Sequence, residues 1–303
     1  LKQMITHISA GICAILLAAC ASVSSPLTTS TPSQPPPAAT ASPRPTIPTA
    51  AATNTSSPAE TASPAATAQP AAGDFEVCSP LEDISLADLP QIVTNPYDPP
   101  PPGQDGGHHG VDLAYYRRGS HNTMVGLPIY SALSGKVASV TLDQPPYGNM
   151  VIVETPLQDL PPEFIAQLDL PQQLAQTKED PRLTCPAPQS FPDLSTGDRS
   201  LYILYAHMQS TPAVIVGESA HCGQALGAVG NTGMSGNPHL HFEVRLGPSG
   251  VVIGTMSHYN NRATIEEMAN YCLWRVSGAF ALVDPLKLIR AGVAFSALPT
   301  PAP

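Results

Sequence analysis

Positive charge is scarce in this chain. Thirteen lysines and arginines stand against 23 acids in 303 residues, a net charge of −10, and nowhere are the cations gathered into a block. Nucleic-acid affinity rests on phosphate neutralisation by Lys and Arg, so this composition argues against a nucleic-acid partner. It also makes the protein a poor electrostatic match for anionic lipid headgroups. No apolar run is of membrane-spanning length: the N-terminal one, residues 8–19 (ISAGICAILLAA), is too short to cross a bilayer as a helix. No CxxC pair occurs, which argues against a thiolate zinc site.

The N-terminal apolar run follows Lys2 and has the size of a signal-peptide core. It closes on Leu17-Ala18-Ala19-Cys20, which resembles the lipobox of bacterial lipoproteins. Residues 1–20 therefore read as a lipoprotein signal with Cys20 as the lipidated residue, which would anchor the protein to a membrane on the extracytoplasmic side of the cell envelope. A plain cleavable signal with a chance cysteine is the alternative. The opening Leu1 leaves an alternative start codon and an incomplete N-terminus both open. Residues 21–73 are almost wholly Pro, Ala, Thr and Ser, with Arg44 and Glu60 the only charges. Such a segment buries nothing that offsets its ordering entropy. It reads as a tether reaching on the order of 150 Å at full stretch. Beyond Cys13 and Cys20, four cysteines remain: Cys78, Cys185, Cys222 and Cys272. An even number outside the cytoplasm implies two disulfides, with three pairings open.

The folded part, residues 74–303, begins with a proline-rich lead-in and continues as short strand-like runs between Gly and Pro turns: 128–132, 136–142, 149–154, 201–207 and 213–216. The expected fold is all-β, with small antiparallel sheets folded into a sandwich or barrel-like groove. Two partly helical insertions interrupt it, at about 155–199 and 247–282. The first holds a short helical piece at 162–168. The second holds one at 263–274, where Thr264 can cap and Ile265, Met268, Tyr271 and Cys272 fall three to four apart.

Residues 230–245, GNTGMSGNPHLHFEVR, are the focus of the chain. A glycine-rich loop enters a run that alternates polar and apolar, the pattern of a half-buried strand. Side chains two apart share a face, so His239 and His241 project together while Leu240, Phe242 and Val244 interleave. A bare pair of this kind fits a surface strand as well as a metal or acid–base site. Far upstream, His108 and Asp112 lie four apart, on one face if extended, with His109 pointing away. Together with His241 they would form an N/N/O set of the kind zinc favours, leaving a fourth position open for water.

Three motifs in order resemble the lysostaphin-type, or LytM-like, zinc metallopeptidases: His-x-Gly-x-Asp (His108 to Asp112), Tyr-Ala-His (Tyr205 to His207) and Gly-Asn-Thr-Gly…His-Leu-His-Phe-Glu. The runs beginning at Gly126 and Gly223 and the closing Val283-Asp284-Pro285 resemble the same family. The resemblance implies one zinc ion held by His108, Asp112 and His241. It gives His239 the role of general base or acid, and His207 that of orienting water or stabilising the oxyanion. It also implies peptidoglycan as substrate, cut at a cross-bridge or stem peptide. The chain is expected to act as a monomer. A catalytically silent module of the same fold, binding cell wall or regulating another hydrolase, is the alternative. The insertions lie outside the minimal family domain and could border or lid the groove. His121, His221 and His258 lack a matched spacing and read as loop or surface residues; Asn149, Tyr205 and Asn231 read as turn and packing residues.

Overall fold

The structure, a computed structural model, describes residues 75–171, 180, 183–186 and 197–297. The signal segment, Cys20 and the 21–73 tether lie outside the described residues. Strands are β1 (Val93–Asn95), β2 (Val111–Leu113), β3 (Pro128–Tyr130), β4 (Gly135–Gln144), β5 (Gly148–Pro156), β6 (Arg199–Met208), β7 (Ser219–Ala220), β8 (Ala225–Ala228), β9 (Leu240–Pro248) and β10 (Ala281–Val283). The helices are α1 (Pro162–Ile165), α2 (Ile265–Arg275) and α3 (Pro285–Ser296). The fold is predominantly antiparallel β with few helices, as expected. One eight-stranded sheet dominates, in the order β1-β2-β9-β6-β5-β4-β7 with β10 on the far end of β9, and β3 pairs with β8 apart from it. The sheet stays open and does not close into a barrel.

Strand β9 lies inside this sheet and is buried along its whole length. Its even-numbered apolar residues, Leu240, Phe242, Val244 and Leu246, join Val111, Leu113, Ile203 and Tyr205 in one core, which takes in Leu288 and Ile289 of α3. The opposite face carries Tyr202, Leu204 and Ala206, packed with Tyr271, Trp274 and Phe280 of the 247–282 insertion. Period-two alternation therefore feeds two cores rather than one core and solvent. On that second face β9 presents its odd-numbered residues.

Helix α2 starts where its signals place it. Thr264 accepts from the Glu267 amide at 3.2 Å, and the Glu267 carboxylate accepts from the Thr264 amide at 2.7 Å, a reciprocal capping box. Helix α1 is one short turn over Pro162–Ile165, within the expected 162–168 piece. Helix α3 was not expected from the sequence, although Asp284 caps it through the Leu286 amide at 2.9 Å and Pro285 takes a first-turn position. The run 213–216 is not a strand. Its Ile215 amide donates to the Glu218 side chain instead of a ladder partner, and Ile215 stays exposed. Strand β8, by contrast, forms where only a glycine-punctuated resemblance had been noted. Among the described residues no helix is long and apolar enough to cross a membrane.

The four cysteines pair as Cys78–Cys222 and Cys185–Cys272, closing separations of 144 and 87 residues. The first ties the lead-in to the segment between β7 and β8; the second ties α2 to the 155–199 insertion. Bridges that close long loops restrict the unfolded chain most, and both fit an oxidising, extracytoplasmic compartment. Replacing Cys78 and Cys222 together by serine should lower stability by about 2–4 kcal/mol in denaturant titration. An unchanged midpoint would contradict that role.

Candidate metal centre

Strand register builds the site. In the β2–β9 ladder Asp112 pairs with His241, and in the β6–β9 ladder Ala206 pairs with His241, which brings His207 alongside. His108 enters from the loop before β2, held by reciprocal backbone bonds with Asp98. His239 sits just before β9, in a bridge with Gly230. All five residues line one groove of about 400 Å³.

His108 Nε2, Asp112 Oδ1 and His241 Nδ1 converge: His108 to Asp112 is 3.0 Å, His241 to Asp112 is 2.9 Å, and the two ring nitrogens are 3.2 Å apart. These three form the donor set expected from the sequence. Among the described residues the other His/Cys/Asp/Glu cluster, Glu76 with Cys78 and Cys222, has both cysteines in a disulfide and offers no thiolate. Each ring has its second nitrogen committed. His108 Nδ1 donates to the Pro96 carbonyl at 2.8 Å, and His241 Nε2 faces the Glu243 carboxylate at 3.4 Å. Such partners fix tautomer and orientation, leaving His108 Nε2 and His241 Nδ1 to face one another as lone pairs across Asp112. A cation between them makes that contact favourable. Zinc bonds of about 2.0 Å in a tetrahedron place donors about 3.3 Å apart, close to the spacings here. The residues fit the ion.

Charge reinforces the fit. Burial alone would raise the Asp112 pKa, but the imidazoles of His108, His239 and His241 gathered around it outweigh burial and hold the carboxyl well below its usual range. Burial works against a charged His241, yet the two carboxylates, Asp112 and Glu243, raise its pKa. The same two carboxylates facing one imidazole would also stabilise a metal ion.

The two remaining histidines are oriented in the same way. His239 Nδ1 lies 2.7 Å from the Asn237 carbonyl, with Nε2 3.3 Å from Asp112 Oδ1. His207 Nδ1 lies 2.8 Å from the Thr232 carbonyl, and its ring centroid is 4.7 Å from that of His239. Burial, then the neighbouring His241 and His239, push the His207 pKa down to about 3, so its ring is neutral near pH 7. His207 has φ of 59° at the end of β6, a left-handed backbone rare outside glycine, which turns its side chain to the groove.

His109 points away from the donors, as the spacing requires, but it is not idle. Its Nδ1 accepts from Arg245 at 2.6 Å and its Nε2 donates to the Gly106 carbonyl at 3.1 Å. Burial, then the nearby Arg245, hold its pKa at about 2. Arg245 also binds Glu243 through Nε, and Glu243 accepts from Tyr147 at 3.0 Å. Sequence reasoning passed over Glu243 and Arg245, although the alternation that pairs His239 with His241 puts both on the same face. Of the unmatched histidines, His221 is exposed and His121 partly so, while His258 is a buried loop residue whose Nε2 bonds the Thr184 carbonyl. Asn149 holds the Asp143 amide and Met208 carbonyl, and the Tyr205 hydroxyl accepts from Ala132, both packing roles. Asn231 accepts from Ser235 within the glycine-rich loop.

Fold and site together define a β domain built around a His/Asp/His donor set. Residues 194–264 match the model of Peptidase family M23. The match contains His207, His239 and His241; His108 and Asp112 lie upstream of it. Similar solved structures include a zinc containing peptidase from Vibrio cholerae (21% identity, 50% of this chain and 32% of that one, TM-score 0.29). Others are the catalytic domain of the antimicrobial peptidase lysostaphin from Staphylococcus simulans (23%, 54% and 87%, 0.31) and a putative peptidase M23 from Pseudomonas aeruginosa (20%, 72% and 55%, 0.30). This chain thus spans about a third of the Vibrio protein. No curated protein matches it.

Arg245 and Glu243 are each about fully buried, so removing one strands the other's charge. Arg245→Met should cost about 3–5 kcal/mol in unfolding free energy, and Glu243→Gln added to it should cost much less than the sum of the two single changes. Additive losses in a double-mutant cycle would contradict the coupling.

Proposed function

We propose that the protein is a zinc-dependent metalloendopeptidase that hydrolyses peptide bonds of bacterial peptidoglycan, in a cross-bridge or stem peptide. The observation that carries this reading is the convergence of His108, Asp112 and His241 beside two further histidines whose Nδ1 atoms are bonded to carbonyls. When bound, zinc supplies a Lewis acid and lowers the pKa of water. His239 has its Nδ1 proton on Asn237, which leaves Nε2 as the base that takes a proton from water and returns it to the leaving amine. His207 is neutral, with its Nδ1 proton on Thr232, so its Nε2 accepts. Of the two roles the resemblance offers, this favours orienting water over stabilising an oxyanion. The glycine-rich loop from Gly230 to Asn237 forms one groove wall, where a peptide backbone can approach closely.

In this reading the chain works as a monomer outside the cytoplasm, carried on the 21–73 tether from a lipid at Cys20, with peptidoglycan and the membrane as its partners and no nucleic acid.

The full chain should bind about one zinc per molecule and release muropeptide fragments from peptidoglycan, read by mass spectrometry. His241→Ala should lose both. His239→Ala should keep the zinc while cleavage falls by about 10²–10⁴. Full cleavage by His241→Ala would defeat the proposal, and zinc binding without any cleavage in the wild type would favour the silent module. For the anchor, Cys20→Ser should shift the protein from the membrane fraction to the soluble one, and retention there would defeat the lipid attachment.

A further inference from the structure

Helix α2 belongs to the 247–282 insertion, which from the sequence could border or lid the groove. Its last residue does more than border it. Arg275 is partly buried, its side chain 11% exposed, and its guanidinium holds three acceptors: Asp105 Oδ1 through Nε at 2.6 Å, the Asp105 carbonyl at 3.0 Å, and the Tyr147 hydroxyl at 3.1 Å. Tyr147 in turn donates to Glu243 Oε2 at 3.0 Å, and the same oxygen faces His241 Nε2 at 3.4 Å. The donors run in one direction, from guanidinium to phenol to carboxylate, and the carboxylate accepts from the imidazole. On the other branch, Asp105 is three residues before His108, and the intervening Gly106 carbonyl is bonded by His109. One side chain therefore fixes both the loop that carries His108 and the carboxylate that orients His241.

We infer that Arg275 is a positioning residue for the metal centre, acting on His108 through Asp105 and on His241 through Tyr147 and Glu243. The inference rests on the zinc reading proposed above. The arrangement is made rigid before any ion arrives. Tyr147 and Tyr271 lie 6.0 and 5.8 Å from the Arg275 guanidinium, and Tyr271 adds 3.0 Å hydrogen bonds to both oxygens of Asp105. Helix α2 is itself secured at one end by its capping box and near the other by the Cys185–Cys272 disulfide. A planar five-donor fork meets these three acceptors together, whereas a lysine ammonium at the same place retains the charge without the fork. The insertion is thus the rear support of the metal site, in addition to a wall of its groove.

The test compares zinc dissociation constants, by chelator competition on the full chain, for wild type, Arg275→Met, Arg275→Lys and Tyr147→Phe. The Cys78→Ser/Cys222→Ser protein serves as a destabilised control outside the network. Arg275→Met should weaken zinc about 10–100-fold, the usual cost of losing a partner behind the ligands. Arg275→Lys should recover part of that loss, and Tyr147→Phe, which keeps the ring and loses only the hydroxyl, should weaken zinc severalfold. The ligand-field spectrum of the cobalt(II)-loaded protein should change in Arg275→Met and Tyr147→Phe and not in the disulfide control. Wild-type affinity and spectrum in both network variants would overturn the inference, as would an equal affinity loss in the disulfide control. If Arg275→Met does not fold, Tyr147→Phe decides alone. A wild type that binds zinc and leaves peptidoglycan uncut removes the proposed activity and leaves this inference standing; one that binds no zinc removes both.

Discussion

A carboxylate buried in a sheet needs a cation, and Glu243 finds one two residues along its own strand. The Arg245 guanidinium lies against one carboxylate oxygen, and the other takes the Tyr147 hydroxyl and faces His241. Burial opposes the charge of Glu243, but Arg245 and then His241 outweigh it and hold its pKa well below the usual range. Arg245 also reaches His109, next to His108. The ion pair thus joins the two chain segments that supply imidazoles to the donor set. Without it, strand β9 would carry an uncompensated charge through the middle of the molecule.

That row of polar groups sits under cover because the sheet is buried on both sides. The first face packs on α3 and the lead-in; the second packs on the 247–282 insertion. At one end of β9 the second face opens into the groove and presents His239 and His241. At the other it closes over Glu243 and Arg245, with the Trp274 ring 4.7 Å from the guanidinium. One strand therefore carries a reactive end that lines the groove and a dry supporting end, and the low dielectric around the latter makes its hydrogen bonds strong and its geometry stiff.

Much of this was legible in the chain itself. Period-two alternation in residues 239–244 located β9, and the spacing from His108 to Asp112 identified the partners that register brings to His241. Thr264, read as a cap from the sequence, stands at the N-cap of α2. Other features were not legible, for physical reasons. That Glu243 and Arg245 are buried depends on what covers the second face, and the cover is an insertion whose packing no local pattern encodes. Nothing local marks Arg275, whose contact with Asp105 spans 170 residues. Helix α3 had a cap and a first-turn proline in plain view, but they were read only as part of a closing motif. The run 213–216 had strand-like composition and lacked a partner strand, since pairing is a property of the sheet and not of the segment.

The central claim is that the converging lone pairs of His108 and His241, bridged by Asp112, are a site for one zinc ion. The most direct measurement is an anomalous-difference map at the zinc absorption edge from crystals of the full chain. The account predicts a single peak within bonding distance of His108 Nε2, Asp112 Oδ1 and His241 Nδ1, with His239 and His207 outside the coordination shell. A peak bound by His239 or His207 in place of His108, or a zinc-soaked crystal with no peak at this position, would contradict it.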